Sequence, residues 1–228
     1  MAGGAATNSK VEIEIAVVLL TVSEGALKTL FLRKDRSRWT LPTGRLRPSE
    51  PMRGAAERIL SEQVGAKVEY LEQLYTFGNH LPRSGARTVI VSYYGLIPSV
   101  LLRSEQLADI HAAKWFSESE QPRLAENHGL ISRVARDRLR GKVGYTAVGF
   151  ELLPDRFTLA ELQNLYEVIL GKVIDKRNFR RKISELGILE QVGRHKPGEG
   201  KRGRPAAQFR FRREVFWEIE SKGVIFPL

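Results

Sequence analysis

Cysteine is absent from the 228 residues of this chain, and histidine occurs only four times. The absence of cysteine excludes disulfide bonds, thiolate zinc sites and cysteine nucleophiles, and it is typical of a protein from a reducing compartment. The histidines are scattered and form no recognisable metal-binding motif. We therefore expect no bound metal.

Long hydrophobic runs are absent as well. No run approaches the ~20 apolar residues that cross a bilayer, and the start, MAGGAATNSK, lacks the apolar stretch of a secretory signal. The composition is nevertheless 42% hydrophobic and 28% charged, which is sufficient for a buried core. We expect a globular, cytoplasmic protein.

Acidic residues are scarce in one segment. Lys176 to Arg213 contains 13 Lys and Arg against three Glu, whereas the net charge of the whole chain is +11. The rest of the chain is therefore nearly neutral. A localised basic block is typical of an element that binds a polyanion, and nucleic acid is the first candidate.

Hydrophobic periodicity indicates an α+β first domain over residues 10–147, without internal repeats. Alternating and continuous β-branched runs predict strands, and apolar residues at helical spacing predict helices. The predicted strands span residues 11–22, 27–33, 67–75 and 87–97, and the predicted helices span 52–64 and 127–141.

The pattern changes over residues 148–228, which we predict to be a second domain. Thr158 followed by Glu161 has the spacing of a capping box, and Asp175 is a second N-cap type. Helices are predicted over 159–170 and 176–186, followed by strands over 188–192 and 208–211. This order predicts a winged helix-turn-helix.

Residues 44–66 resemble the Nudix box, a loop–helix motif with fixed spacing. The matching residues are Gly44, Glu50, Arg58, Leu60, Glu62 and Gly65. The preceding Trp39-Thr-Leu-Pro-Thr-Gly44 also resembles the lead-in of that motif. The resemblance implies a Nudix-like α/β/α sandwich over roughly residues 10–145.

Two departures from the box carry the functional inference. Nudix hydrolases use clustered carboxylates to hold divalent cations against a pyrophosphate. Here Ile59 and Gln63 replace two of these carboxylates, and only Glu62 remains. Glu50 and Arg58 usually form a structural pair in the family. We therefore expect no catalytic residues, no metal site and no hydrolysis.

The resemblance also implies a pocket for a nucleoside diphosphate derivative such as ADP-ribose. Aromatic rings would contact the base and arginines would meet the phosphates, although Trp39 is equally compatible with core packing and Arg83 and Arg87 with solvated surface. The candidate ligand-binding residues are Arg38, Trp39, Arg45, Arg58, Glu62, Tyr75, Phe77, Arg83 and Arg87.

The basic block has the pattern of a DNA-reading helix and wing. Phe179, Ile183 and Leu186 are spaced to face a core, which leaves the polar side chains outward. Arg202-Gly-Arg-Pro205 in the following loop resembles an AT-hook, whose arginines enter the minor groove. The candidate DNA-binding residues are Lys176, Arg177, Asn178, Arg180, Arg181, Lys182, His195, Lys196, Lys201, Arg202 and Arg204.

A degenerate Nudix domain followed by a winged helix resembles the Nudix-related transcriptional regulators, the NrtR family. Further matching segments are Tyr75-Thr-Phe-Gly78, Phe150-Glu-Leu-Leu-Pro154 and Gly203-Arg-Pro-Ala206. The resemblance implies a homodimeric bacterial repressor of NAD biosynthesis or salvage genes, associated with the nucleoid. ADP-ribose or a related nucleotide would be the effector that releases operator DNA, with no cofactor required and no membrane partner.

Two alternatives stay open at this point. One is a metal-dependent Nudix hydrolase of nucleoside diphosphate derivatives with an attached nucleic-acid-binding domain, which turnover of ADP-ribose with magnesium or manganese would favour. The other is a DNA-binding protein whose first domain only dimerises, which a DNA affinity insensitive to any nucleotide would favour.

Overall fold

A computed structural model describes residues 11–80, 87–103, 113–125, 127–195 and 206–221. In these ranges the first unit is built on a mixed seven-stranded sheet. The strands are β1 Val11–Ser23, β2 Ala26–Arg33, β3 Trp39–Thr40, β4 Thr43–Arg45, β5 Tyr70–His80, β6 Arg87–Leu96 and β7 Ala113–Ser117. The long strand β1 runs parallel to β6 and antiparallel to β2 and β4.

Helices cover both faces of this sheet. Helix α1 (Met52–Val64) packs on one face, and helix α2 (His128–Val143) packs on the other. Successive residues of β1 alternate between the two cores because side chains of a strand point to opposite faces. Ile15, Val17 and Leu19 contact the core beneath α1, and their neighbours Ala16, Val18 and Leu20 contact the core beneath α2. The predicted α/β/α sandwich is confirmed.

The second unit is a winged helix-turn-helix, as predicted. A 3₁₀ helix, Ala147–Leu152, leads into this unit from α2. The elements are β8 Phe157–Thr158, α3 Leu159–Leu170, α4 Lys176–Glu185, β9 Leu189–His195, β10 Ala206–Phe211 and α5 Arg213–Ser221. The three strands form a sheet in the order β8, β10, β9.

The helix boundaries of this unit follow from local capping. Thr158 Oγ1 accepts a hydrogen bond from the backbone N–H of Glu161, whose carboxylate accepts one from the Thr158 N–H. Asp175 accepts a hydrogen bond from the Asn178 N–H at the start of α4. Each cap satisfies amides that lack an intrahelical partner. Both caps agree with the sequence-based prediction.

Several elements differ from the sequence-based prediction. The strand predicted over 67–75 is β5, Tyr70–His80, and a register shift at Leu74 places Tyr75 and Phe77 on the α2 face of the sheet. Helix α5, the short strands β3, β4 and β7, and the 3₁₀ helix Ser99–Arg103 are absent from the prediction. Two- to five-residue elements depend on tertiary pairing and carry little periodicity of their own.

One hydrophobic core continues from the first unit into the second. The cluster beneath α2 includes Leu20 and Phe31 of the sheet together with Leu165 and Phe179 of the winged helix. Helix α3 packs against α2 and against β1 and β2. The two units therefore share apolar contacts that a movement of either would alter. No helix within the described ranges has the length and apolar character needed to cross a membrane.

Candidate functional site

The box loop and helix α1 meet at Gly44 and Ile59. Ile59 is fully buried in the core beneath α1. A Cβ atom at Gly44 would lie 3.1 Å from Ile59 Cγ1, so glycine permits this close approach. Position 59 of the box helix is therefore occupied by a core side chain, which offers no oxygen ligand.

Gln63, the second departure from the box, has a structural contact. Its Nε2 donates to the Thr43 carbonyl at 2.6 Å, and its Oε1 accepts from the Thr43 N–H at 3.2 Å. An amide can make this donor–acceptor pair, whereas a carboxylate can only accept. These two hydrogen bonds of Gln63 therefore connect α1 to β4.

The Glu50–Arg58 pair fixes the box loop. Nε of Arg58 donates to Glu50 at 2.6 Å and Nη2 donates at 2.9 Å, with side chains only 16% and 17% exposed. Arg58 also donates to the Arg45 carbonyl at 3.2 Å. The hydrogen bond from Arg58 and that from the Arg47 N–H lower the pKa of Glu50 to about 2. The structure thus supports the pair as a clamp between loop and helix.

Glu62, the remaining carboxylate of the cluster, is held by two arginines. Nη2 of Arg47 and Nη1 of Arg58 each lie 3.3 Å from one of its oxygens. Within the described ranges, no three metal-binding side chains lie close enough to hold an ion. A divalent cation needs several free oxygen ligands, so the donor set at this box does not fit one. Arg47 belongs to the site but is missing from the sequence-predicted candidates, because its partner lies 15 residues away.

The clamp has a testable pH dependence. Because the pKa of Glu50 is about 2 in the folded protein against 4.5 ordinarily, its contribution to stability is complete above pH 4.5 and disappears as the pH falls toward 2. Glu50→Gln should therefore lower Tm at neutral pH, and the difference from the wild type should vanish in acid. Thermal melts of both proteins across this range measure it.

Glu57→Gln is the matched control for this experiment. Glu57 forms an exposed ion pair with Arg53 on the same helix, and such pairs contribute about 0–1 kcal/mol. We expect a small change in Tm from this control. A Glu50→Gln deficit that stayed constant down to pH 2 would show that the pKa shift of Glu50 is not its cause.

Trp39 combines packing with partial exposure. Its ring meets Phe116 edge-on at 4.8 Å between centroids, and the Arg33 guanidinium lies 5.0 Å from its ring centre. Its backbone N–H donates a hydrogen bond to the Arg123 carbonyl, and its carbonyl accepts one from the Ala125 N–H. Trp39 therefore has the core contacts that one interpretation predicts, and it also retains exposed surface at the edge of the sheet.

Tyr75 and Phe77 form a second aromatic group. Their ring centroids are 5.4 Å apart, and Tyr75 is 60% exposed while Phe77 packs on the core beneath α2. Phe77 lies in the same cross-strand row as Arg45, with β1 and β6 between them. Three strand spacings separate the two backbones by roughly 14 Å. A ligand of dinucleotide size can span that distance.

The remaining ligand candidates are arginines. Arg38 is ion-paired with Asp35, and Arg45 is ion-paired with Glu12, both at 2.9 Å. Both arginines are exposed, so a phosphate can compete with these partners. Arg87 begins β6, although its side chain, like all of Arg83, lies outside the described residues.

Helix α4 exposes a polar, basic face that carries several of the candidate DNA-binding residues. Lys176, Arg177, Asn178 and Arg181 are exposed, whereas Arg180 and Lys182 are half-buried. Arg181 donates to Glu185 at 2.9 Å and to the Asn178 side-chain oxygen at 2.9 Å, so its guanidinium is held on the outer face. The side chain of His195 and the wing candidates Lys196, Lys201, Arg202 and Arg204 lie outside the described residues.

Some cations of the basic block have structural partners. Arg210 binds both oxygens of Asp155 at 2.9 Å, and Arg213 binds Glu151 at 2.9 Å. These pairs connect β10 and α5 to the segment before α3. Within the described residues, the cations of the block are therefore found both in intramolecular ion pairs and on the exposed face of α4.

Comparison with known proteins agrees with both units. Residues 12–135 match the model of the NUDIX domain, and residues 149–211 match that of the NrtR DNA-binding winged helix domain. The ADPR-responsive transcriptional repressor NtrR of Acinetobacter baylyi is 33% identical over 205 residues, which cover 86% of this chain and 80% of the relative.

Solved structures agree as well. The crystal structure of Shewanella oneidensis NrtR complexed with a 27mer DNA superposes with a TM-score of 0.78 at 29% identity, covering 90% of this chain and 95% of that one. A MutT/nudix family protein from Enterococcus faecalis shares the fold at 22% identity, with a TM-score of 0.69 over 89% of this chain and 86% of that one. The chain belongs to the Nudix-related transcriptional regulators, the NrtR family.

Proposed function

We propose that this protein is a transcriptional repressor that binds operator DNA through its winged helix and releases it when ADP-ribose, or a related NAD-derived nucleotide, binds the Nudix domain. The observation that carries the proposal is the shared core, which joins a Nudix box whose donor set does not fit a cation to a helix with an exposed basic face. The relative from Acinetobacter baylyi is named an ADPR-responsive transcriptional repressor, which supports the same function.

The proposal divides the chain at residue 147. Residues 10–147 bind the effector and dimerise, and residues 148–228 bind DNA. A homodimer is expected because one winged helix makes few base contacts, whereas two symmetric helices read two half-sites. The regulated genes belong to NAD biosynthesis or salvage, and the protein acts in the bacterial cytoplasm at the nucleoid.

The proposal also includes the absence of hydrolase activity. Nudix chemistry needs a cation to activate water and to offset phosphate charge. Ile59 is buried, Gln63 is bonded to Thr43, and Glu62 is engaged by two arginines. No cofactor is therefore required, and the arginines of the box region meet the phosphates in place of a metal.

Tyr75→Ala tests the ligand response. The wild type should bind ADP-ribose without added metal, and the nucleotide should weaken DNA binding by at least about fivefold, the lower end of ordinary coupling. Tyr75 is mostly exposed, so its loss should remove ring contacts to the ligand without disturbing the core. The variant should keep the DNA affinity of the free protein and lose the response. Fluorescence anisotropy with duplexes that the protein selects from a random pool measures both.

Tyr145→Ala is the matched control, because Tyr145 is a similarly exposed tyrosine that follows α2. It should respond to ADP-ribose as the wild type does. A wild-type DNA affinity that ADP-ribose leaves unchanged would reject the proposed function, and an unchanged response in Tyr75→Ala would reject the assignment of that ring.

A further inference from the structure

The C-terminus of α3 is held by the first unit. Nε of Arg140, on α2, donates to the Ile169 carbonyl in the last turn of α3 at 3.2 Å. The last carbonyls of a helix lack intrahelical partners and carry partial negative charge, so a guanidinium there is a favourable contact. Because α3 packs on α4, a displacement of this guanidinium would displace α3 and, through it, the candidate DNA-binding helix α4.

Glu118 sets the position of Arg140. It lies just after β7, and its Oε2 accepts from Nη2 of Arg140 at 2.7 Å. This hydrogen bond is the largest cause of the lowered pKa of Glu118 and of the raised pKa of Arg140. Asp137, on the same helix as Arg140, lies farther from it at 3.3 Å. Glu118 is therefore the carboxylate that connects Arg140 to the segment after β7.

A second, buried arginine depends on the same carboxylate. Arg136 is 3% exposed, and its Nη2 lies 3.6 Å from Glu118. Its Nη1 donates to Ser132 at 2.7 Å, while its Nε has no hydrogen-bond partner within the described residues. Burial lowers the pKa of Arg136. A movement of Glu118 would weaken its ion pair with Arg136. Because an uncompensated buried charge is unfavourable, this ion pair opposes the movement of Glu118 unless other contacts change at the same time.

The segment that carries Glu118 also contacts Trp39, one of the candidate ligand-binding residues. Phe116, two residues earlier, is buried against the ring of Trp39. The backbone of Trp39 bonds to residues 123 and 125, which follow Glu118. The segment from 116 to 125 therefore encloses Trp39 at both ends, with Glu118 between them.

We propose that Glu118 is the positioning residue that transmits ligand binding to the DNA-reading unit. A ligand that moves Trp39 moves the 116–125 segment, and the Glu118–Arg140 pair carries that displacement to the end of α3. The inference rests on the proposed function, since it names the route between the two binding sites.

Glu118→Gln tests the route, because glutamine keeps the shape of the side chain and removes its charge. The readout is the coupling factor, the ratio of DNA affinities without and with saturating ADP-ribose. In the wild type this factor should be at least about fivefold. In Glu118→Gln it should fall toward unity, while the affinities for ADP-ribose alone and for DNA alone stay near the wild-type values. A purely structural residue would lower Tm without changing the ratio.

Two further variants make the test decisive. Asp137→Asn removes the other carboxylate of Arg140 and should leave the coupling factor unchanged. Arg140→Gln removes the Glu118–Arg140 ion pair but leaves the buried Arg136 paired with Glu118. It therefore tests the same route if Glu118→Gln fails to fold. A folded Glu118→Gln or Arg140→Gln with full coupling overturns this inference. A wild type without coupling overturns the proposed function instead.

Discussion

Restoring the two missing carboxylates, as Ile59→Glu with Gln63→Glu, should destabilise the protein severely and should not produce hydrolysis. Ile59 is fully buried beneath α1 among apolar side chains. A glutamate there must stay protonated at neutral pH, at a cost of about 1.4 kcal/mol for each pH unit above the ordinary glutamate pKa of 4.5, or roughly 3–4 kcal/mol. This is a large part of the ~5–15 kcal/mol that stabilises an ordinary domain.

The second substitution adds to the destabilisation. In Gln63→Glu a carboxylate oxygen would replace the Nε2 donor that lies 2.6 Å from the Thr43 carbonyl. Two acceptors then face each other, and leaving such groups unpaired costs about 1–3 kcal/mol. The penalty from Ile59→Glu should ease as the pH falls toward the ordinary glutamate pKa, because protonation is then favourable in the unfolded chain as well.

Urea unfolding at neutral and acidic pH, together with an ADP-ribose hydrolysis assay in magnesium and manganese, measures both parts. Ile59→Met is the control for packing, since a swap of similar volume costs less than about 1.5 kcal/mol. A double variant that unfolded at the same urea concentration as the wild type and hydrolysed ADP-ribose would favour the hydrolase alternative. It would mean that the side chain at position 59 reaches the solvent-exposed box.

The parts of the structure that the sequence predicts are those set by local rules. The capping box of Thr158, the N-cap of Asp175 and the left-handed Gly65 after α1 each involve residues within a few positions of one another. The continuous apolar run over residues 15–20 of β1 likewise predicts a strand that is buried on both faces. These signals need no knowledge of distant contacts, and the corresponding element boundaries agree with the structure closely.

The parts that the sequence does not predict depend on partners far apart in the chain. Gln63 bonds to Thr43, and Glu118 bonds to Arg140, at separations of 20 and 22 residues. The motif comparison shows only that Gln63 is not a glutamate, and it gives no reason for an amide. The register shift in β5 that turns Tyr75 toward α2 is equally invisible, because it follows from pairing with β6.

The apolar residues of helix α5 have helical spacing in the sequence, but the charged residues beside them obscure this pattern. Val215, Phe216 and Ile219 pack on the common core at the spacing of a helical face. The basic residues before them make the segment resemble the end of the charged block. Arg213, which belongs to that block by sequence, is instead paired with Glu151. Net charge alone therefore overestimates the surface available to DNA.

The exposed face of α4 should divide into residues that read bases and residues that hold the backbone. Arg177 and Arg181 are exposed one helical turn apart, and Asn178 supports the guanidinium of Arg181. An arginine that pairs with a base edge contributes about 1–3 kcal/mol of discrimination, and the proposed homodimer would make each contact twice. Arg177→Ala with Arg181→Ala should therefore weaken binding to the selected duplex by at least about a hundredfold, and it should weaken binding to a scrambled duplex far less.

Lys176→Ala gives the contrasting result that identifies the mechanism. Lys176 is exposed at the first turn of α4, where a cation is placed to meet a phosphate. The substitution should weaken both duplexes equally and reduce the slope of log affinity against log salt by about one for each phosphate that the lysine neutralises. Lys34 is an exposed lysine of the first unit, and Lys34→Ala should change neither the DNA affinity nor the salt slope.

The arginine pair has an alternative outcome. If Arg177→Ala with Arg181→Ala weakened binding to both duplexes equally, α4 would bind DNA by electrostatic attraction alone, and the residues of the wing would have to read the sequence. Arg202→Ala with Arg204→Ala would then produce the reduced discrimination that α4 failed to show, because arginines inserted into a narrow minor groove distinguish A·T-rich from G·C-rich flanks.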